Sequence, residues 1–148
     1  MDVNVSSIFY VSEVFNMGNY PNLSDSDYAV MEILWRDKEA KSSDICKELE
    51  KTFGWSRQTV GTYLKRLVNK KLVGTKSTNN RDYLYFPIVS KQEYGTDVTS
   101  SYLDKYFGSL SHMVAGIMRK EDISQDEINA LEKVIAEYKA GKGGDNDD

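Results

Sequence analysis

The spacing of the apolar residues changes once between Ser24 and Pro87, and that change constrains the fold more than any other feature of the 148-residue chain. Up to about Lys71 the apolar side chains recur at helical spacing. Tyr28, Met31, Ile33, Leu34 and Trp35 mark a first helix. Ser24 is its predicted N-cap, with Asp27 three residues on where a capping box has its acid. A second helix is expected from Ser42 to about Phe53, on Ile45, Cys46, Leu49 and Phe53, with Gly54 as its stop. Ser56 caps a third, which faces inward through Val60, Leu64, Leu67 and Val68. Leu72–Lys76 and Asp82–Phe86 then read as strands around a turn at Ser77–Asn80, and Pro87 closes the second strand. Three helices followed by a hairpin are the element order of a winged helix-turn-helix.

From Val89 to Ala140 the helical period returns. Tyr94, Val98, Tyr102 and Tyr106 are spaced by four over 89–107. Leu110, Met113, Val114, Ile117 and Met118 follow over about 109–119. Ser124-Gln125-Asp126-Glu127 opens a last helix as a capping box, with Ile128, Leu131, Val134, Ile135 and Tyr138 on its apolar side. Three striped helices need a partner surface, and a second copy of the chain is the simplest one. The expected dimer contacts are Val98, Tyr102, Tyr106, Leu110, Val114, Ile117, Ile128, Leu131 and Ile135. The fold class predicted is mostly α. Its parts are an N-terminal extension (1–22), a winged-helix DNA-binding domain (23–88), a helical dimerisation domain (89–140) and an acidic disordered tail (141–148). The extension has two readings: a short helix or strand docking on the body, or an upstream start codon with Met17 the true beginning.

Composition mainly excludes. One Cys and one His rule out an internal disulfide framework and a Cys/His zinc site, so no metal or other cofactor is expected. No apolar run approaches the roughly 18 residues of a membrane span, and a cytoplasmic protein without membrane insertion is expected. Cys46 reads as a packed thiol, His112 as a surface or interface residue, and Asp126-Glu127 as helix-dipole partners. No nucleophile is paired with a base and there is no phosphate loop, so the chain does not read as an enzyme.

The net charge is −4, yet no Asp or Glu occurs from Ser56 to Arg81. That stretch holds Arg57, Lys65, Arg66, Lys70, Lys71, Lys76 and Arg81, a local cationic surface of the kind that binds phosphates. Gln58, Gly61, Thr62 and Lys65 lie together on the third helix, away from its core stripe. Gln and Thr can bond base edges or meet a thymine methyl. Gly61 costs about 1 kcal/mol of helix propensity relative to Ala, and a bare spot there lets the backbone approach a ligand closely. Ser56 and Arg57 sit at a helix N-terminus, which favours a phosphate. Lys76 and Arg81 are placed on the hairpin to reach a neighbouring phosphate or the minor groove. The bland alternative is a solvated face with a chance run of bases. The coincidence with the third helix and wing favours DNA.

The stretch LSDSDYAVMEILWRDKEAKSSDICKELEKTFGWSRQTVGTYLKRLVNKKLV closely resembles the start of the penicillinase-repressor family, the BlaI/MecI type, with its copper-responsive CopY relatives. KEDISQDEI resembles the family's dimerisation region, and the likeness covers about residues 23–139. It implies a homodimeric winged-helix repressor on an operator dyad of double-stranded DNA. It implies a β-lactam-resistance or related operon, with repression relieved when a membrane sensor-transducer metalloprotease leads to cleavage in the dimerisation domain. By position, Gln58, Thr59, Thr62 and Arg66 match the family's DNA-contacting helix. Gly61 stands where the best-known members carry Arg, which points to a different operator. The cleavage region maps to Ser100, Ser101 and Tyr102, without the familiar Asn-Phe bond. The tail has no Cys, against copper sensing of the CopY kind. A winged-helix protein-interaction module without DNA binding is the alternative function.

Overall fold

The computed structural model describes residues 19–79 and 81–143. Helix α1 spans Asp25–Asp37, α2 Ser42–Phe53 and α3 Arg57–Asn69. Strands β2 (Val73–Lys76) and β3 (Leu84–Pro87) form the hairpin. Helix α4 covers Lys91–Tyr102 and runs into a five-residue π-helical turn, Leu103–Phe107. Helices α5 (Leu110–Lys120) and α6 (Gln125–Gly143) complete the chain. The expectations for residues 1–18 and for the end of the tail, 144–148, lie outside the described residues, as does Asn80 of the hairpin turn. Residues 141–143, expected in the tail, continue α6.

The predicted caps form. Ser24 Oγ accepts the Asp27 amide and Asp27 returns a bond to the Ser24 amide, a full capping box. Ser56 Oγ accepts from the Thr59 amide, and Gly54 closes α2 in the left-handed conformation at φ 71°. That conformation costs a residue without Cβ nothing.

A two-residue strand, β1 (Ala40–Lys41), escaped the sequence reading because so short a segment carries no alternation. It pairs antiparallel with β3, which also pairs with β2, so the sheet order is β1-β3-β2. Gly74 faces Phe86 across the hairpin, and a Cβ at Gly74 would come within 2.3 Å of the Phe86 ring. The glycine is needed there for the ring to lie over the strand.

The described residues form two compact units, divided between Tyr106 and Phe107. In the first, Val30, Met31, Leu34, Ile45, Leu64 and Leu67 lead a core that also takes in Leu72, Val73 and Val89. This division falls beyond the 88/89 boundary expected from the sequence, for a physical reason. Helix α4 buries Tyr94 and packs Val98 on that core, and Trp35 Nε1 of α1 donates to Val89 O at 2.9 Å. Val98, expected at a dimer contact, is therefore a core-packing residue of the first unit. In the second unit nothing from Phe107 to Gly141 is buried.

Candidate nucleic-acid interface

Helix α3 turns Val60, Leu64 and Leu67 into the core and leaves its other side open. Ser56, Arg57, Gln58, Gly61, Thr62 and Lys65 are exposed, and Thr59 is half-buried. The wing adds Lys76 and Arg81, both exposed. Among the described residues, Arg57, Lys65, Lys71 and Arg81 make no ion pair, whereas Lys76 lies 3.9 Å from Glu39 and over the Phe86 ring. Their charge is available to an anionic partner.

The neutral groups are partly committed within the helix. Thr62 Oγ1 donates to Gln58 O at 3.0 Å, and the oxygen keeps its lone pairs to accept from another partner. Thr59 Oγ1 lies 3.0 Å from Ser56 Oγ and belongs to the N-terminal cap. Gln58 has an uncommitted side-chain amide among the described residues. At Gly61 a Cβ would meet nothing within 4 Å, so no internal packing requires a glycine there. Gly61, Arg57 and Leu64 line one wall of a cavity of about 380 Å³ whose other walls come from Ser43, Arg81 and Tyr85.

Asp82 holds the wing beside the helices. Lys41 at the N-cap of α2 supplies no side-chain bond, and Asp82 takes its place by accepting from the Ser43 amide at 3.2 Å and from the Ser43 hydroxyl. The Ser42 amide meanwhile donates to Tyr83 O at 2.9 Å. The Ser43 hydrogen bonds outweigh desolvation and hold the Asp82 carboxyl below its ordinary value. No sequence signal marked this partnership, since the two residues lie on elements far apart in the chain.

Arg66, expected among the DNA contacts, is engaged by Asp27 of α1. Its guanidinium is turned toward α1, with Nη2 2.6 Å and Nε 3.0 Å from Asp27 Oδ1, and it lies over the Tyr63 ring. Cys46 is buried, and loss of hydration pushes its thiol up, so it is a packed thiol. His112 Nδ1 lies 3.2 Å from Phe107 O within the second unit. Among the described residues no group of three or more His, Cys, Asp or Glu is placed to hold a metal ion, and no helix is long and apolar enough to cross a membrane.

In the second unit and the segment leading to it, Tyr102, Tyr106, Leu110, Ile117 and Ile135 are exposed, while Val114, Ile128 and Leu131 are half-buried. Tyr102 and Tyr106 stack at 5.9 Å. Of the residues matched to the cleavage region, Ser100 and Tyr102 are exposed and Ser101 is half-buried.

The penicillinase repressor family model matches residues 23–137, all the described elements but the last six residues of α6. The chain belongs to the penicillinase repressor family. Members of this family are winged-helix, DNA-binding transcriptional repressors and not enzymes. The penicillinase repressor of Bacillus licheniformis is 30% identical over 127 residues, which span 85% of this chain and 98% of that one. The methicillin resistance regulatory protein MecI of Staphylococcus aureus is 29% identical over 114 residues, 76% of this chain and 92% of the relative. Among solved structures, the solution structure of monomeric Bacillus licheniformis BlaI in complex with the blaP half-operator is similar at 30% identity. It covers 51% of this chain and 92% of that one, with a TM-score of 0.46.

Proposed function

We propose that this family member is a homodimeric repressor that reads an operator dyad through the open side of α3. The observation that carries the reading is the acid-free, exposed face formed by Ser56, Arg57, Gln58, Gly61, Thr62 and Lys65, flanked by Lys76 and Arg81 of the wing. Gln58, Thr62 and the bare backbone at Gly61 read bases. Arg57, Lys65, Lys76 and Arg81 hold the phosphates, and Thr59 sets the start of the helix with Ser56. The likeness to a penicillinase repressor and to a methicillin resistance regulatory protein supports a β-lactam-resistance or related operon as the target.

The second unit supports a dimer. A pair of helices with no buried residue from Phe107 to Gly141 cannot be stable on its own apolar contacts, and Leu110, Ile117 and Ile135 are the groups a second copy would cover. Two copies then set the half-site spacing. Relief of repression is assigned to proteolysis near Ser100–Tyr102 by a membrane sensor-transducer metalloprotease. Footprinting on the promoters next to the gene tests the reading: a protected dyad supports it, and no sequence-specific protection on any of them overturns it. Sedimentation at micromolar concentration tests the dimer, which a monomer under those conditions would contradict.

A further inference from the structure

Asp27 is the only charged residue with no exposed surface among the described residues, and both its oxygens are engaged. Oδ1 takes Arg66 Nη2 at 2.6 Å and Nε at 3.0 Å; Oδ2 takes Lys70 Nζ at 2.9 Å. Arg66 lies in the last turn of α3 and Lys70, four residues on, is its C-cap, so a single carboxylate on α1 grips the C-terminal end of the helix at two points. Val60, Leu64 and Leu67 seat the inward face of α3 in the core, and the two bonds to Asp27 further restrict its rotation and its height at the C-terminal end.

Arg66 is held from other sides as well. Its guanidinium carbon lies 5.1 Å from the Tyr63 ring centroid, and Nη2 is 3.3 Å from both Ser24 Oγ and Ser26 Oγ. Lys70 Nζ also reaches Asn22 O at 3.3 Å. A DNA phosphate could claim Arg66 only by stripping a fully desolvated carboxylate of its main partner, and an uncompensated buried charge is strongly destabilising.

We propose that Asp27 is a positioning residue for DNA recognition: through Arg66 and Lys70 it sets how α3 is presented, and Arg66 serves this joint rather than a phosphate. The proposal rests on the reading of α3 as the DNA-facing helix. It reassigns the one site residue whose side chain points away from the open face.

The test is a salt series of dissociation constants for the full chain on two probes, a duplex selected by the protein from a random-sequence pool and a random duplex. Wild type, Asp27→Asn, Arg66→Ala, Arg66→Lys and the double variant Asp27→Asn/Arg66→Ala are compared, each at a temperature where circular dichroism shows it folded. Each single variant is expected to weaken binding to the selected duplex about tenfold, with the double variant no weaker than the worse single. The slope of log affinity against log salt stays that of wild type. Arg66→Lys, which keeps the charge but not the two-pronged grip, loses affinity as Arg66→Ala does. A slope reduced by about 0.9 for each Arg66 removed would make it a phosphate ligand and overturn the proposal. So would an Asp27→Asn protein that melts earlier but binds as wild type. Should Asp27→Asn not fold, Arg66→Lys decides alone. Wild type binding neither probe in a salt-dependent way would instead bring down the DNA reading itself.

Discussion

The Tyr94 hydroxyl accepts the Leu23 amide at 2.8 Å, joining α4 to the residue just before the cap of α1. Beside it, the Asn19 and Tyr20 amides donate to Asp97 at 2.7 and 3.2 Å. The entry to the winged helix is thus strapped to the helix that follows the wing. Tyr94→Phe keeps the ring and leaves the Leu23 amide without its acceptor. It should cost about 1 kcal/mol of unfolding free energy in urea denaturation, and an unchanged midpoint would contradict the strap.

Asp82 caps α2 from the wing. Asp82→Ala removes that cap and should cost about 1 kcal/mol. It should also weaken DNA binding, because the hairpin carrying Lys76 and Arg81 loses its tie to Ser43. Hydrogen exchange of the Ser43 amide reports the tie directly, and exchange no faster than in wild type would count against it.

Gly61 separates stability from function. Space for a Cβ is open, so Gly61→Ala should stabilise α3 by about 1 kcal/mol in thermal melts. The same methyl stands where the backbone is read as approaching DNA, so affinity for a selected duplex should fall. A variant both more stable and equally tight on DNA would show that the bare spot has no role in binding.

Acid should loosen the joint between α1 and α3. Burial raises the Asp27 carboxyl, but the hydrogen bonds from Arg66 and Lys70 outweigh it, and the folded value lies below the ordinary 3.8. The unfolded chain therefore takes up the proton first. This part of the stability is fully present above about pH 4 and is lost as pH falls through the folded value. Urea midpoints of wild type should drop below pH 4 more steeply than those of Asp27→Asn, and parallel curves would contradict the account.

Much of this was legible in the sequence. Apolar spacing at 3.6 and then 2 identified α1 to α3 and the hairpin, and Ser24, Gly54 and Ser56 marked their ends, because those signals are local. The exposed face of α3 was legible for the same reason: Gln58, Gly61, Thr62 and Lys65 share a side by geometry alone. What local spacing cannot carry is pairing across the chain. Asp27 read as a capping acid, and nothing in its neighbourhood announced Arg66 or Lys70. Asp82 likewise read as the start of a strand. The Val98 period matched an interface stripe, but only the contact of the Tyr94 ring with Trp35 and the packing of Val98 on the first core showed where this turn belongs.

The claim that the open side of α3 reads DNA is tested most directly by comparing Gln58→Ala, Thr62→Ala and Lys65→Ala on a selected and a random duplex across a salt series. Lys65→Ala should weaken both about equally and lower the salt slope by about 0.9 for each phosphate no longer neutralised. Gln58→Ala and Thr62→Ala should narrow the gap between the two duplexes and leave the slope unchanged. Salt-independent binding, or three variants indistinguishable from wild type, would contradict it.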